Sequence, residues 1–302
     1  MNVVFDMETA DPDDLLTLCF LARHPNASLV GVTVTPGAPE QIGLVRTALE
    51  TMGATKIPVG TRRPELSLSF APIHKYVSQF YYKLFSRSEQ FEASPDGTGA
   101  EIIHKCFEQY PDVTLLTGAS LGNLRIALET HPTMKLRRWV AQGGFAGDSL
   151  VEPEHRLEKF AGRETCPTFN FNGDVRGALL ALQTDQILER TLVSKNVCHG
   201  VVYDQELHTK YKKVKNFSPA SRLIYKAMDQ YLQRHPDGKK LHDPLAACVM
   251  LDDSICQYRE VEVYRSKGEW GSKAAVGTNT KISVSVDKNK FHTAFMFGRS
   301  CA

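Results

Sequence analysis

The sequence predicts an α/β fold in which a single domain, residues 1–302, is built on a doubly wound, mostly parallel sheet. Three observations lead to this prediction. Short apolar strand segments alternate with amphipathic helical segments, the loops between them are short, and the helical segments start and stop at capping residues. No internal repeat, low-complexity tract or linker divides the sequence, so one domain is the better interpretation.

The elements of the first 60 residues follow in order. Asn2–Phe5 predicts a strand, and the leucine-rich segment 13–23 predicts a helix. SLVGVTVT (28–35) predicts the second strand, and PEQIGLVRTALETMG (39–53) predicts a helix that starts with proline and stops at glycine. KIPVG (56–60) predicts a third strand, which completes a strand–helix–strand–helix–strand unit.

The alternation continues beyond an aromatic segment at 61–95. Further elements are expected as strands at 113–118, 137–144, 191–195 and 258–264, and as helices at 98–109, 121–129 and 218–234. KISVSVD (281–287) predicts an edge strand, followed by a closing helix. Ligands of doubly wound sheets bind outside the carboxyl ends of the strands, so these loops should share one pocket: 6–14, 35–38, 117–123 and 142–147.

The composition argues against nucleic-acid and membrane partners. The chain is 42% hydrophobic and 23% charged, and its formal net charge is +2. It has no apolar run long enough to span a bilayer and no signal-peptide pattern. Seven scattered cysteines without a CxxC pair predict reduced thiols. We therefore expect a cytoplasmic protein that acts on a small molecule.

Five carboxylates crowd the junction between the first strand and the first helix: Asp6, Glu8, Asp11, Asp13 and Asp14. Helix capping by Asp11 or Asp13 explains one or two of them. Like charges at this spacing repel one another unless a cation lies among them, and no Lys or Arg occurs between Met1 and Arg23. A divalent cation with oxygen ligands is the natural partner, either calcium or magnesium, because no His or Cys accompanies the acids.

Two other segments are candidates to complete this site. In KLHDPLAACVML (240–251), a His–Asp–Pro triplet precedes an apolar helical run. Taken alone, it is interpreted as a cap, with Asp243 as the N-cap and Pro244 at the first helical position. TGASLGNLRIALETHP (117–132) is a strand–loop–helix junction, which by itself is an ordinary βα turn.

Taken together and in this order, the segments resemble the inosine–uridine nucleoside hydrolase family. That family opens with DxDPGxDD, for which this chain has DMETADPDD (6–14), one residue longer and with Glu8 in place of the second aspartate. TGASLGNLRIAL is similar to its TGPLTNLALAL element, TFNFNGD (168–174) to its EFNIxxD, and LHDPLAA (241–247) to its HDPLA. A strand that ends in Gln142-Gly143-Gly144 and the closing VDKNKFHTAF complete the match.

The resemblance implies calcium-dependent hydrolysis of the bond between a base and ribose, with magnesium as the second choice of metal. It also implies a homodimer or homotetramer. The metal ligands would be Asp14, Asp243, the main-chain carbonyl of Gly122, and Glu8 or Asp6, one of which would also take the proton of the attacking water; Asp11 is a third possibility for that role. Ribose would be bound by Asp13 and Asn170, with Thr168, Gln142 and Asp243 as further substrate contacts. His242 would donate a proton to the leaving base.

The departures from the family pattern concern the sugar. An asparagine after the second strand falls on Ala38, the glutamate of EFN is Thr168, and another asparagine has no counterpart near Gly162. The last two hold the ribose 5′-hydroxyl in the family. This loop offers three basic residues instead: His155, Arg156 and Arg163. We therefore expect a substrate whose 5′ end is modified or phosphorylated, with a solvated basic loop as the alternative.

Two other function classes remain open. Asp6-Met7-Glu8-Thr9 resembles the DxDxT start of magnesium-dependent phosphatases of the haloacid dehalogenase type, with Asp252-Asp253 as their last acidic pair. The other class is a non-catalytic ribose- or nucleoside-binding descendant of the hydrolases. Stacking on the base would fall to aromatic residues that are more often core: Tyr76, Tyr81, Tyr82, Tyr211 and Tyr225.

Overall fold

The central element of the protein is a mixed sheet, seen in a computed structural model that describes residues 1–62 and 77–297. In the described part the sheet has eleven strands, in the order β4-β3-β2-β1-β5-β6-β8-β13-β11-β12-β7. The strands of this sheet are β1 (Asn2–Met7), β2 (Ser28–Val34), β3 (Val59–Thr61), β4 (Gly97–Thr98), β5 (Thr114–Thr117), β6 (Leu136–Gln142), β7 (Thr165–Cys166), β8 (Ile187–Val193), β11 (Cys256–Ser266), β12 (Glu269–Ala274) and β13 (Thr280–Val286). The pairs from β4 to β13 are parallel and the last three are antiparallel. A separate antiparallel ladder joins β9 (Val202–Tyr203) to β10 (Lys239–Lys240).

Helices cover both faces of this sheet. They are α1 (Pro12–Arg23), α2 (Pro39–Thr51), α3 (Gln79–Leu84), α4 (Gly99–Gln109), α5 (Gly122–Thr130), α6 (Phe169–Gly173), α7 (Val175–Gln183), α8 (Lys195–Cys198), α9 (Gln205–Lys212), α10 (Pro219–Leu232), α11 (His242–Leu251) and α12 (Lys288–Phe295). Side chains of β1 alternate between the two layers: Val3 and Phe5 join one apolar core with α1 and α11, and Val4 joins the other with α4 and α5. The predicted doubly wound α/β sheet is confirmed.

The direction of winding reverses at β1. The chain leaves β1 through α1 to β2 on one side, whereas β5 pairs with the opposite side of β1. Asp6, near the end of β1, pairs in register with Thr33 of β2 and Thr117 of β5. Such a switch point opens a crevice at the carboxyl ends of the strands, and the acidic segment after β1 lies there.

The prediction that residues 281–287 form an edge strand is wrong. β13 lies inside the sheet, parallel to β8 and antiparallel to β11. Ser283 and Ser285 of this strand are buried, and Ser283 accepts two hydrogen bonds from Ser194, one at its carbonyl oxygen (2.7 Å) and one at its Oγ (2.9 Å). A polar residue whose hydrogen bonds are satisfied is tolerated inside a sheet, so the pattern alone misplaced the strand.

Other predictions differ in smaller ways. α11 begins at His242 with Leu241 as its N-cap, so Asp243 lies in the first turn rather than at the cap. Asp11 occupies the N-cap position of α1 without a side-chain capping bond. Tyr76 lies outside the described residues. In the described part of the chain, no helix is long and apolar enough to cross a membrane.

Candidate active site

Asp6 occupies the centre of the crevice and is completely buried. Its Oδ1 accepts hydrogen bonds from Thr33 Oγ1 at 2.6 Å and from Asn123 Nδ2 at 2.7 Å. Within the described residues, its Oδ2 has no hydrogen-bond partner. Burial raises the pKa of Asp6 to about 6, although both hydrogen bonds oppose the rise. One oxygen of this carboxylate is therefore held in place and the other is available to a ligand.

Three buried carboxylates meet beside Asp6. Single oxygens of Asp13, Asp14 and Asp243 lie within 4.8 Å of one another. Pro12 starts α1 and so places Asp13 and Asp14 in its first turn, while the start of α11 at His242 brings Asp243 to the same point. A Cβ on Gly118 would lie 2.7 Å from Asp243 Cγ, so a glycine is required at the end of β5. The starts of α1 and α11 thus bring together acids that are 230 residues apart in the sequence, and the N–H of Asp243 donates to Asp13 Oδ2 at 3.4 Å.

The pKa values of these acids reflect the electrostatic cost of bringing buried carboxylates together. Burial, together with neighbouring carboxylates, raises the pKa of Asp14 and of Asp243 well above the usual range. For the same reasons the pKa of Glu8 rises to about 7, and that of Asp11 to about 6. Glu8 lies next to the cluster, since its N–H donates to Asp14 Oδ1 at 2.9 Å. Buried oxygen donors that repel one another, beside the unpartnered oxygen of Asp6, are chemically suited to a hard divalent cation.

One cation of the protein itself enters this cluster, and sequence reasoning missed it. Lys239 is 4% exposed, and its Nζ lies 2.9 Å from the Asp11 carboxylate and 3.4 Å from Asp13 Oδ1. Although burial opposes it, the charges of Asp13 and Asp11 raise the pKa of Lys239. The absence of Lys and Arg from residues 2–22 could not reveal an ammonium that arrives from β10. The only signal was the position of Lys239, three residues before His242.

His242 borders the cluster on its other side. Its Nδ1 lies 3.7 Å from Asp13 Oδ2, and its ring stacks on His199 with centroids 5.1 Å apart. Burial lowers the pKa of His242 to about 4; Asp13 opposes this shift, and nearby lysines reinforce it. Its Nε2 is buried and has no hydrogen-bond partner in the described part of the chain. The imidazole is therefore neutral at pH 7, with one ring nitrogen available to a ligand.

Two of the predicted substrate contacts, Asn170 and Gln142, meet at the end of β6. Asn170 Nδ2 donates to the backbone carbonyl of Gln142 at 3.0 Å and to its side-chain Oε1 at 2.8 Å. Gln142 Nε2 in turn donates to Cys198 Sγ at 3.4 Å, next to His199. Thr168 is buried, and its Oγ1 has no hydrogen-bond partner among the described residues. The chain of contacts thus runs from Asn170 through Gln142 to the histidines.

Gly122 begins α5, where a Cβ would lie 2.4 Å from Arg62 Nε. An arginine side chain therefore lies against this glycine, and the role of its carbonyl as a metal ligand stays a prediction. Arg62 also lowers the pKa of Asp6 through its charge. The adjacent Asn123, which orients Asp6, was not singled out from the sequence. Its only signal was its place in the GNL motif.

Of the three basic loop residues, Arg156 is occupied elsewhere. Its Nε donates to Val151 O and one terminal nitrogen donates to Asp148 O, both at 2.8 Å. His155 and Arg163 are exposed. Arg156 thus stabilises its own loop through these two hydrogen bonds.

The aromatic candidates divide between the core and the site. Tyr211 is fully buried in the core and Tyr225 stacks on His208, whereas burial and then the charge of Asp14 raise the pKa of Tyr81 well above its usual value. In the described part of the chain, its buried hydroxyl has no hydrogen-bond partner. Of the tyrosine candidates that the structure describes, Tyr81 therefore lies near the acids.

The positions of Asp252 and Asp253 argue against the phosphatase alternative. Asp252 is the C-cap of α11, at the end opposite to Asp243, about 14 Å away by the rise of a helix. Asp253 forms ion pairs with Arg138 and Lys281 at 2.5 and 2.6 Å. The last acidic pair of that alternative is thus remote from Asp6.

Comparison with known proteins agrees with the resemblance drawn from the motifs. The sequence model of the inosine–uridine preferring nucleoside hydrolases matches residues 3–293. An uncharacterized protein of Aquifex aeolicus (strain VF5) is 31% identical over 298 residues, which cover 95% of this chain and 94% of the relative.

Solved structures show the same fold. A plant nucleoside hydrolase matches with a TM-score of 0.71 and 19% identity, over 98% of this chain and 97% of its own. A purine-preferring ribonucleoside hydrolase from Gardnerella vaginalis gives 0.68 and 17%, with the same coverage. An inosine–uridine preferring nucleoside hydrolase from Bacillus anthracis gives 0.67 and 15%, over 97% of each chain.

Proposed function

The chain belongs to the inosine–uridine preferring nucleoside hydrolase family, and from this premise we propose that it is a calcium-dependent N-ribosyl hydrolase. Its substrate is a ribonucleoside or a 5′-modified or phosphorylated relative. The observation that carries the proposal is the meeting of Asp13, Asp14 and Asp243 oxygens within 4.8 Å at the switch point of the sheet. The motif-based prediction of the family is confirmed, and with it the class of enzyme.

The donor set suits calcium. Asp14 and Asp243 would hold the ion, with Glu8 or Asp6 and the Gly122 carbonyl as further ligands and magnesium as the second choice. When bound, such an ion polarises a water molecule and neutralises the crowded carboxylates. Asp11 is the weakest candidate for the water-activating base, because its carboxylate is paired with Lys239 at 2.9 Å.

The proton of the attacking water goes to Glu8 or Asp6. Both side chains lie at the acidic cluster: in the described part of the chain Asp6 Oδ2 has no hydrogen-bond partner, and the N–H of Glu8 donates to Asp14 Oδ1 at 2.9 Å. Asp13 and Asn170 hold the ribose hydroxyls. The nearby carboxylates stabilise the positive charge that develops on the sugar as the C–N bond breaks.

His242 serves the leaving base. At pH 7 its ring is neutral, so it presents an N–H group rather than a strong acid. The buried, unpartnered Nε2 supports its placement toward a ligand. A positioned proton donor typically contributes about 10²–10⁴-fold to the rate.

The test is release of free base from a panel of ribonucleosides and their 5′-phosphates, with and without calcium. We expect base release that depends on calcium. Release of phosphate with magnesium would support the phosphatase alternative, and calcium-dependent binding of a nucleoside without base release would support a non-catalytic descendant. The homodimeric or homotetrameric state and the cytoplasmic location stay predictions.

A further inference from the structure

A group of basic side chains lies on the far side of His242 from the acids. Three of them surround the ring of Phe160: Lys159 Nζ is 4.8 Å and Lys195 Nζ 5.9 Å from its centroid, and the His199 ring is 5.4 Å away. Lys159 Nζ also contacts His199 Nδ1. We call these residues, together with Lys240, the basic wall.

The positive charges of the basic wall face one another. Burial lowers the pKa of Lys159, and Lys240 and Lys195 lower it further. Burial also lowers the pKa of His199, to about 3, and His242 and the three lysines contribute to the shift. In residues 1–62 and 77–297, no carboxylate oxygen lies within 4.0 Å of Nζ of these three lysines. The basic wall therefore lacks the counter-charge that Lys239 supplies to the acids.

Like charges gathered on one surface cost free energy, which an anion can recover. The phenylalanine ring beneath the wall attracts cations weakly and cannot neutralise them. A tetrahedral phosphate can accept hydrogen bonds from several lysines at once. Beside a deep site, such a group of cations is best explained as an anion subsite.

The basic wall adjoins the predicted sugar contacts as well as His242. Lys195 Nζ donates to Pro167 O at 2.8 Å, immediately before Thr168. Lys195 and Thr168 also line one open cavity of about 450 Å³. His199 follows Cys198, which accepts the hydrogen bond from Gln142. The wall thus spans the distance between the residues proposed to hold ribose and the residue proposed to serve the base.

The position of the anion on the substrate follows from the charges around the ribose. C1′ carries the base, and the 2′ and 3′ hydroxyls face the acidic cluster in the proposed function, where a phosphate would be repelled. The 5′ carbon is the remaining position that carries a substituent. A phosphate there is separated by the ribose ring from the hydroxyls that face the carboxylates, which favours the basic wall as its binding site.

We propose that Lys159, Lys195, Lys240 and His199 form a phosphate subsite and that the substrate is a ribonucleoside 5′-monophosphate. This inference rests on the proposed function. In the reaction, the C1′–N bond breaks, water supplies the hydroxyl to C1′ and its proton reaches the base. The products are the free base and ribose 5-phosphate, and the phosphate is not transferred.

The experiment compares inosine with inosine 5′-monophosphate, both as substrates and as ligands in equilibrium binding, at saturating calcium. We expect kcat/KM to favour the monophosphate by about 100-fold, since several charge-assisted hydrogen bonds form only with it. Lys159→Gln and Lys195→Gln should each lower this ratio about tenfold. Ribose 5-phosphate should compete for binding more strongly than ribose.

Lys135→Gln is the matched control. Lys135 Nζ donates to a backbone carbonyl at 3.0 Å, as Lys195 Nζ does. However, Lys135 precedes β6 and so lies at the amino-terminal ends of the strands, opposite to the site. The proposal is overturned if the two substrates have equal kcat/KM, or if the ratio is the same in the Lys159 and Lys195 variants as in the wild type. Lysine-dependent binding of the monophosphate without base release would instead support the subsite and contradict the proposed function.

Discussion

Two walls of one crevice carry opposite charge, and within residues 1–62 and 77–297 only the acidic one contains a counter-charge. The acidic wall consists of Asp6, Glu8, Asp11, Asp13, Asp14 and Asp243. There, buried Lys239 contacts Asp11 at 2.9 Å and Asp13 at 3.4 Å. On the basic wall, described above, the lysines face one another and a neutral imidazole. Lys239 is one cation among several carboxylates, so each wall retains uncompensated charge of its own sign. A cation and an anion bound side by side would satisfy both.

The largest expected effects come from variants that remove the two proposed functions of the acidic wall separately. These functions are calcium binding and proton transfer from the attacking water. Asp14→Asn should abolish calcium binding and reduce base release on the order of 10³-fold, because the remaining carboxylates cannot hold the ion. Glu8→Gln should retain calcium and lose about 10²–10⁴-fold in turnover if Glu8 is the base. Isothermal titration with calcium and steady-state kinetics measure the two effects.

Asp112→Asn is the control for these variants, because Asp112 lies at the opposite end of β5 and accepts an exposed hydrogen bond from Asn2. If Glu8→Gln loses calcium as well as turnover, Glu8 is a ligand, and Asp6→Asn becomes the variant that tests the base. Full activity in Asp14→Asn would contradict the metal site.

The second test uses pH to weaken the acidic wall alone. The raised pKa values of Glu8 (about 7) and Asp6 (about 6), and those of Asp14 and Asp243, mean that the metal-free folded protein retains protons that calcium must displace. Calcium affinity should therefore fall as pH falls from 8 to 6, about tenfold per pH unit for each proton displaced.

Titration with calcium at several pH values measures this effect, together with the rise in melting temperature that calcium produces at each pH. The difference between calcium-bound and metal-free protein cancels the contribution of histidines remote from the metal. An affinity independent of pH between 6 and 8 would contradict the raised pKa values.

The smallest expected effect comes from removing the positive charge of Lys239, which partly neutralises the acidic wall. Lys239→Met removes an ammonium 3.4 Å from Asp13 Oδ1 and should tighten calcium binding by about tenfold, because one repulsive charge leaves the site. Without calcium the variant should be less stable, since Asp13 is then buried without its cation. Lys135→Met is the control in both titration and thermal unfolding. Weaker calcium binding in a folded Lys239→Met protein would show that Lys239 positions the ligands rather than opposing the ion.

Local patterns predicted much of the fold and the acidic wall. The β1 and α1 segments were recognisable from apolar periodicity, and Pro12 and the acids after it mark the start of α1. The HDP triplet marks the start of α11 in the same way. Such signals survive in sequence because they act between residues a few positions apart.

The place of β13 and the composition of the basic wall could not be predicted in this way. β13 was expected at an edge, yet it pairs with β8 and β11 because Ser194 satisfies its buried serine. Lys159, Lys195 and Lys240 are unremarkable in the sequence and far apart along it, and only the tertiary structure brings their charges together.

The sequence by itself determined the doubly wound sheet, the family and the acids at the end of β1, because strand period, helix caps and motif order are properties of neighbouring residues. Only the tertiary structure decided which charges meet. Lys239 reaches Asp11 from 228 residues away, and His199 stacks on His242, because the folded chain brings segments distant in sequence to the carboxyl ends of the strands. Electrostatic pairing depends on separation in space, and separation along the chain does not report it.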